Sequence, residues 1–147
     1  MKVAILMGSP RDDEKMAGAS EMLTRFGVEH EVHVMSAHRT PEEVAEFASN
    51  ARSNGFGVII CGAGMAAHLA GVVSAHTTIP VIGVPLSGGI SGGMDALLST
   101  VQMPRGIPVA TVAVDGSANA GVLAVEILSL SNGDLVAQLQ RFRDEGA

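Results

Sequence analysis

The sequence predicts an α/β protein: a parallel sheet of about five strands wrapped by helices on both faces. Three observations carry that reading. Short apolar runs alternate with longer segments of helical periodicity along all 147 residues, the pattern of repeated βαβ units. Residues 58–61, Val-Ile-Ile-Cys, are apolar at every position, as a strand covered on both faces should be. Each expected strand also runs into a loop of small or polar residues, with a helical segment behind it. No linker, repeat or low-complexity tract interrupts the series, so residues 1–147 are expected to form one domain.

Taken in order, residues 2–7 form the first strand and Gly8-Ser9-Pro10-Arg11-Asp12 its loop. A helix over 13–26 follows, with Met16, Ala19, Met22, Leu23 and Phe26 on one face and Gly27 as its stop. Residues 29–35 alternate through Val32 and Val34 as a second strand. The helix over 41–53 starts with three signals: Thr40 as N-cap, Pro41 at the first position, and Glu43 to complete a capping box. The third strand leads through Gly62-Ala63-Gly64 into a helix over 66–75. The fourth, 80–84, leads through a glycine-rich loop, 87–93, into a helix over 94–101. A fifth strand over 108–114 precedes helices over 118–130 and 134–143.

The composition narrows the function. Hydrophobic residues make up 47% and charged residues 16%, a globular balance. A net charge of −6, with four Phe and no Trp or Tyr, argues against a nucleic-acid partner. One cysteine excludes an internal disulfide and fits a reducing compartment. The N-terminal apolar run is too short for a signal peptide, so a cytoplasmic location is expected. Residues 53–94 contain no Asp, Glu, Lys or Arg. Gly, Pro, Ser and His break that stretch into pieces too short to span a membrane. A helix over 66–75 without a charged face is therefore expected to be buried against other copies of the chain.

The chemistry concentrates in the loops. Ser36-Ala37-His38-Arg39-Thr40-Pro41 places an imidazole and a guanidinium on a short strand-to-helix connection. In open α/β sheets, ligands bind beyond the carboxyl ends of the strands. His38 and Arg39 there suggest proton transfer beside an anion; the plainer alternative is a solvated pair on a turn. Gly8 and Ser9 let backbone N–H groups approach an anion, and Ser9 adds a hydroxyl. Asp12 either caps the following helix or accepts hydrogen bonds from ribose hydroxyls, and Arg11 either reaches phosphate or lies in water. The loop Gly62-Ala63-Gly64-Met65-Ala66-Ala67-His68 matches the dinucleotide fingerprint only weakly, and no acidic residue follows about twenty residues on. It reads as a place where backbone approaches a ligand, with His68 as an interior histidine. Cys61, at a buried strand end, is a poor nucleophile candidate. His-x-x-x-His, Cys-x-x-Cys and clustered carboxylates at ligand spacing are all missing, so no metal is expected.

Several of these motifs together are specific. Residues 36–41 (Ser-Ala-His-Arg-Thr-Pro), 62–69 (Gly-Ala-Gly-Met-Ala-Ala-His-Leu) and 101–109 (Val-Gln-Met-Pro-Arg-Gly-Ile-Pro-Val) resemble, in order and spacing, the PurE family of purine biosynthesis. Gly8-Ser9, Asp12, Met16 and Asn119-Ala120 agree with it. Arg39 after the histidine and the Gly-Ala-Gly loop resemble the class I branch, the 5-(carboxyamino)imidazole ribonucleotide mutases. That resemblance implies a flavodoxin-like three-layer αβα sandwich, a homo-octamer, a ribonucleotide substrate and no cofactor. It implies His38 as general acid and base, and Ser9, Asp12 and Arg39 at the ribose-phosphate end. Ser36, Ala63 and Gly64 would line the site, with His68 and Leu69 close by. Three residues depart from the family's usual pattern: Arg11 in place of Ser, Met65 in place of Gly, and Ala70 in place of Pro. The alternatives left open are a direct carboxylase of aminoimidazole ribonucleotide and a nucleotide-binding protein without turnover on the same fold.

Overall fold

The structure is a computed structural model that describes residues 1–147. β1 (Lys2–Met7) is fully buried from Val3 onward and stands inside a five-stranded sheet of order β2-β1-β3-β4-β5. Its neighbours are β2 (His30–Val34) at one edge and β3 (Phe56–Gly64) towards the middle. β4 (Val81–Leu86) and β5 (Ala110–Thr111) complete the sheet. All pairings are parallel. Met7 stands in register with both Val34 and Gly62, and Gly64 with Leu86, so the four longer strands deliver their loops to one edge.

Six helices cover the sheet: α1 (Asp13–Arg25), α2 (Pro41–Asn50), α3 (Leu69–His76), α4 (Met94–Val101), α5 (Ser117–Ser129) and α6 (Gly133–Asp144). Period-two alternation sorts the core into two layers. Val3, Ile5, Met7, Ile60 and Ile82 face α1 and α5, and Ala4, Leu6, Ile59, Cys61 and Val81 face α2 and α3. Glycine permits the closest approaches. A Cβ on Gly62 would stand 2.3 Å from Met16 Sδ, and one on Gly121 would stand 2.8 Å from the Met22 side chain. None of the helices is long and apolar enough to cross a membrane.

Four expectations change. The third strand extends to Gly64, and α3 begins only at Leu69. Met65 enters the left-handed region (φ 55°), and Ala67 N–H and His68 N–H bond to Met65 O and Ala66 O, two residues back, before helical bonding starts. Thr40 makes no capping bond. Its hydroxyl instead accepts from Ser36 N–H (3.1 Å) and donates to Ser36 O (3.3 Å), closing the loop on itself. β5 shrinks to two residues. Val112 N–H and Asp115 N–H still reach Gly83 O and Pro85 O, so the chain follows β4 without a regular ladder.

The charge-free helix is covered on one side by its own chain, while Ala75 and His76 at its end stay exposed. Leu69, Ala70, Val73 and Ser74 of α3 are buried within the one chain, and Met103 lies over Gly71. Among the large exposed apolar residues, Met94, Leu98 and Val101 recur down one side of α4, with Ile90 beside them.

Candidate active site

The strand order reverses beside β1. β1 leads outward to β2, and the chain then crosses back to β3. Such a reversal opens a crevice at the carboxyl ends of the strands, the usual ligand position in open α/β sheets. A cleft of about 300 Å³ lies there. The β1 loop contributes Gly8, Ser9 and Asp12, and the β2 loop Ser36, Ala37, His38 and Arg39. Ala63, Gly64, Met65, Ala66, His68 and Leu69 come from the end of β3 and the start of α3, and Ser87 and Gly88 follow β4.

The β2 loop is held from within. Ser36 Oγ accepts from the backbone N–H groups of His38 and Arg39, both at 3.3 Å, and Thr40 N–H bonds to Ser36 O at 2.8 Å. The loop therefore presents both side chains into the cleft. His38 Nε2 meets His68 Nδ1 at 2.7 Å, with the rings close to perpendicular (87°). Arg39 Nη2 crosses to donate to Gly8 O at 2.6 Å, tying the β2 loop to the β1 loop.

On the β1 side, Ser9 caps a short 3₁₀ turn, Pro10–Asp12, with its Oγ accepting from Arg11 N–H at 3.3 Å. Asp12 occupies the N-cap place of α1 but makes no side-chain capping bond, and it lines the cleft instead. Burial raises its pKa above the ordinary carboxyl value; a hydrogen bond from Ser9 and the charges of Lys15 and Arg39 offset that only in part. Arg11 is exposed and stands outside the lining. Cys61 is buried behind the β3 loop, and burial drives its thiol well above the usual range.

His68 is not the interior histidine expected from its apolar neighbours. The delayed start of α3 puts it at the helix boundary, exposed and bonded to His38. Ser87 and Gly88, on the glycine-rich loop to which sequence reasoning gave no chemistry, also line the cleft. The signal was present in their position directly after a strand.

A doubly wound α/β protein with a histidine pair, an arginine and a partly buried carboxylate around one crevice is built to bind an anionic metabolite and move a proton on it. The comparisons name the group. Residues 2–147 match the family described as AIR carboxylase, and the chain belongs to that family, also called PurE. It is 52% identical to N5-carboxyaminoimidazole ribonucleotide mutase of Vibrio vulnificus, covering 99% of this chain and 91% of that one. To the mutase of Pyrococcus abyssi it is 51% identical, over 98% and 83%. It is also 49% identical to the chloroplastic phosphoribosylaminoimidazole carboxylase of Vigna aconitifolia, over 97% of this chain but only 26% of that longer protein. The crystal structure of Treponema denticola PurE superposes with a TM-score of 0.88 at 28% identity, over 97% of this chain and 89% of that one.

Proposed function

We propose that residues 1–147 act as one PurE-like domain that isomerises N5-carboxyaminoimidazole ribonucleotide, moving its carboxylate from the exocyclic nitrogen to the ring carbon. The observation that carries this reading is the His38–His68 pair, set in the same crevice as Arg39 and Asp12. Full-length relatives bearing the mutase name support it at about half identity.

In this reading the ribonucleotide phosphate lies against the turn at Gly8 and Ser9, where the Ser9 hydroxyl and the Arg39 guanidinium converge. Asp12 accepts from the ribose hydroxyls. His38 gives its proton to the exocyclic nitrogen, the N–C bond to the carboxylate breaks, and carbon dioxide is released in place. The ring carbon attacks carbon dioxide, forming the new C–C bond. His38 then takes the proton from that carbon, so one proton is given and one recovered, with no net consumption. The small walls of Ala63 and Gly64 leave room for carbon dioxide, and Leu69, buried beside them, keeps water out. The assembly is a homo-oligomer, an octamer by family resemblance, in the cytoplasm.

The test is His38→Asn supplied with purified N5-carboxyaminoimidazole ribonucleotide and no bicarbonate. Loss of turnover by about 10²- to 10⁴-fold, with ribonucleotide affinity retained, is expected of a general acid and base. Turnover that survives the substitution would overturn the assignment.

A further inference from the structure

Lys15 lies in the first turn of α1, a position where a cation opposes the helix dipole. Its long side chain is nevertheless fixed. Nζ donates to Ser87 O at 2.6 Å and to Ser87 Oγ at 2.9 Å, across 72 residues of chain. Ordering a lysine side chain is entropically unfavourable, and two charge-assisted bonds to one residue offset that.

Ser87 is held from a second side. Its N–H donates to Asp115 Oδ1 at 2.9 Å, and Asp115 itself sits in the left-handed region (φ 57°), an uncommon backbone state for a residue other than glycine. The anchor is also rigid. Lys15 O accepts from the Ser117 hydroxyl at 2.6 Å, and Ser117 is buried at the start of α5. Lys15 of α1 and Asp115 of the turn between β5 and α5 thus converge on Ser87, which with Gly88 forms the β4 wall of the cleft.

We propose that Lys15 is a positioning residue, acting through Ser87 to hold the β4 wall in the shape that receives the ribonucleotide. This rests on the mutase reading above. A wall contact is made equally in ground and transition states, so its loss raises KM and leaves kcat nearly unchanged. A merely structural lysine would give the opposite pattern: a lower melting temperature and fewer active molecules, with KM unmoved.

The experiment compares wild type, Lys15→Met and Lys15→Arg as full chains. It measures turnover of N5-carboxyaminoimidazole ribonucleotide, calorimetric binding of aminoimidazole ribonucleotide, and thermal melting. Lys15→Met is expected to raise KM and the dissociation constant about tenfold, the scale of a lost charged hydrogen bond, with kcat within about threefold. Lys15→Arg, whose fork can reach both Ser87 oxygens, should restore most of the affinity. If Lys15→Met does not fold, Ser87→Ala removes one of the two acceptors and leaves α1 intact, with a rise of about threefold expected. Unchanged KM and affinity in the folded variant overturns the proposal. Absence of turnover in wild type would overturn the mutase reading instead, while the binding measurement would still decide the role of Lys15.

Discussion

His38 Nε2 and His68 Nδ1 stand 2.7 Å apart, a distance that requires one N–H and one lone pair between the two rings. The bond therefore orients His38, and in the proposed reaction His68 positions the nitrogen that moves the proton. His68→Ala is expected to lower kcat about ten- to a hundredfold, the usual effect of misplacing a reacting group by an ångström, while KM changes less than about threefold. Steady-state kinetics on the purified variant check this. A rise in KM at unchanged kcat would make His68 a binding residue only.

Asp12 gives a prediction with a definite sign in pH. Burial raises its pKa above the ordinary 3.8, against the opposing pull of Ser9, Lys15 and Arg39. A carboxyl raised in the folded state holds its proton more tightly there than when unfolded. That stability is complete below the unfolded value and is lost as pH rises through the folded one. At neutral pH the ionised group thus works against folding. Asp12→Asn should melt higher than wild type near pH 7, and its advantage should shrink below about pH 4. It should also bind ribonucleotide at least about tenfold more weakly, because a charged acceptor is lost. Melting curves across pH, with calorimetry at pH 7, test both halves.

What was legible in the sequence, and what was not, follows from the range of each interaction. β1, β3 and β4 are buried on both faces and read as apolar runs. Residues 94–101 were expected to form α4 and do, because Gly93 and Gln102 bound a periodic segment. The cleft loops were legible as glycine, serine and charged residues directly after strands. Thr40 was misread because its hydroxyl had two local partners to choose from, and the tight loop to Ser36 prevailed over the capping box. His68 was misread because Ala67 and Leu69 make it look interior, whereas the turn through Met65 leaves it at the surface. Lys15, Ser87 and Asp115 could not be joined from sequence: their contacts span 72 and 28 residues and depend on how helix and strand ends meet.

The exposed side of α4 bears on assembly. Met94, Leu98 and Val101 are 48%, 50% and 44% exposed, and Ile90 beside them is 74% exposed. An apolar stripe of this kind on a chain of net charge −6 is what subunit contact would cover. Wild type is expected to sediment as a higher oligomer at micromolar concentration, and Leu98→Asp to shift it to smaller species without unfolding it. A wild-type monomer would rule out the oligomer, and an unshifted Leu98→Asp would move the contact away from α4.

Met65 offers a test of how the cleft would retain carbon dioxide in the mutase reading. Its backbone is left-handed (φ 55°) and its side chain is 67% exposed at the cleft, next to the loop that carries His68. The left-handed state costs an L-residue about 1–2 kcal/mol, which glycine avoids, while glycine gives back part of that through greater freedom in the unfolded chain. Met65→Gly should therefore be as stable as wild type or more stable by less than about 1 kcal/mol, read from denaturant midpoints. If the thioether closes over the cleft, its removal opens the wall in front of the newly freed carbon dioxide. Turnover of N5-carboxyaminoimidazole ribonucleotide in ¹³C-bicarbonate should then place little label in the product of wild type and several times more in that of Met65→Gly. Extensive label already in wild type, with efficient carboxylation of aminoimidazole ribonucleotide from bicarbonate, would move the chain to the direct carboxylase reading that the Vigna aconitifolia relative's name carries. Equal and low label in both proteins would retain the mutase and leave Met65 without a part in holding carbon dioxide.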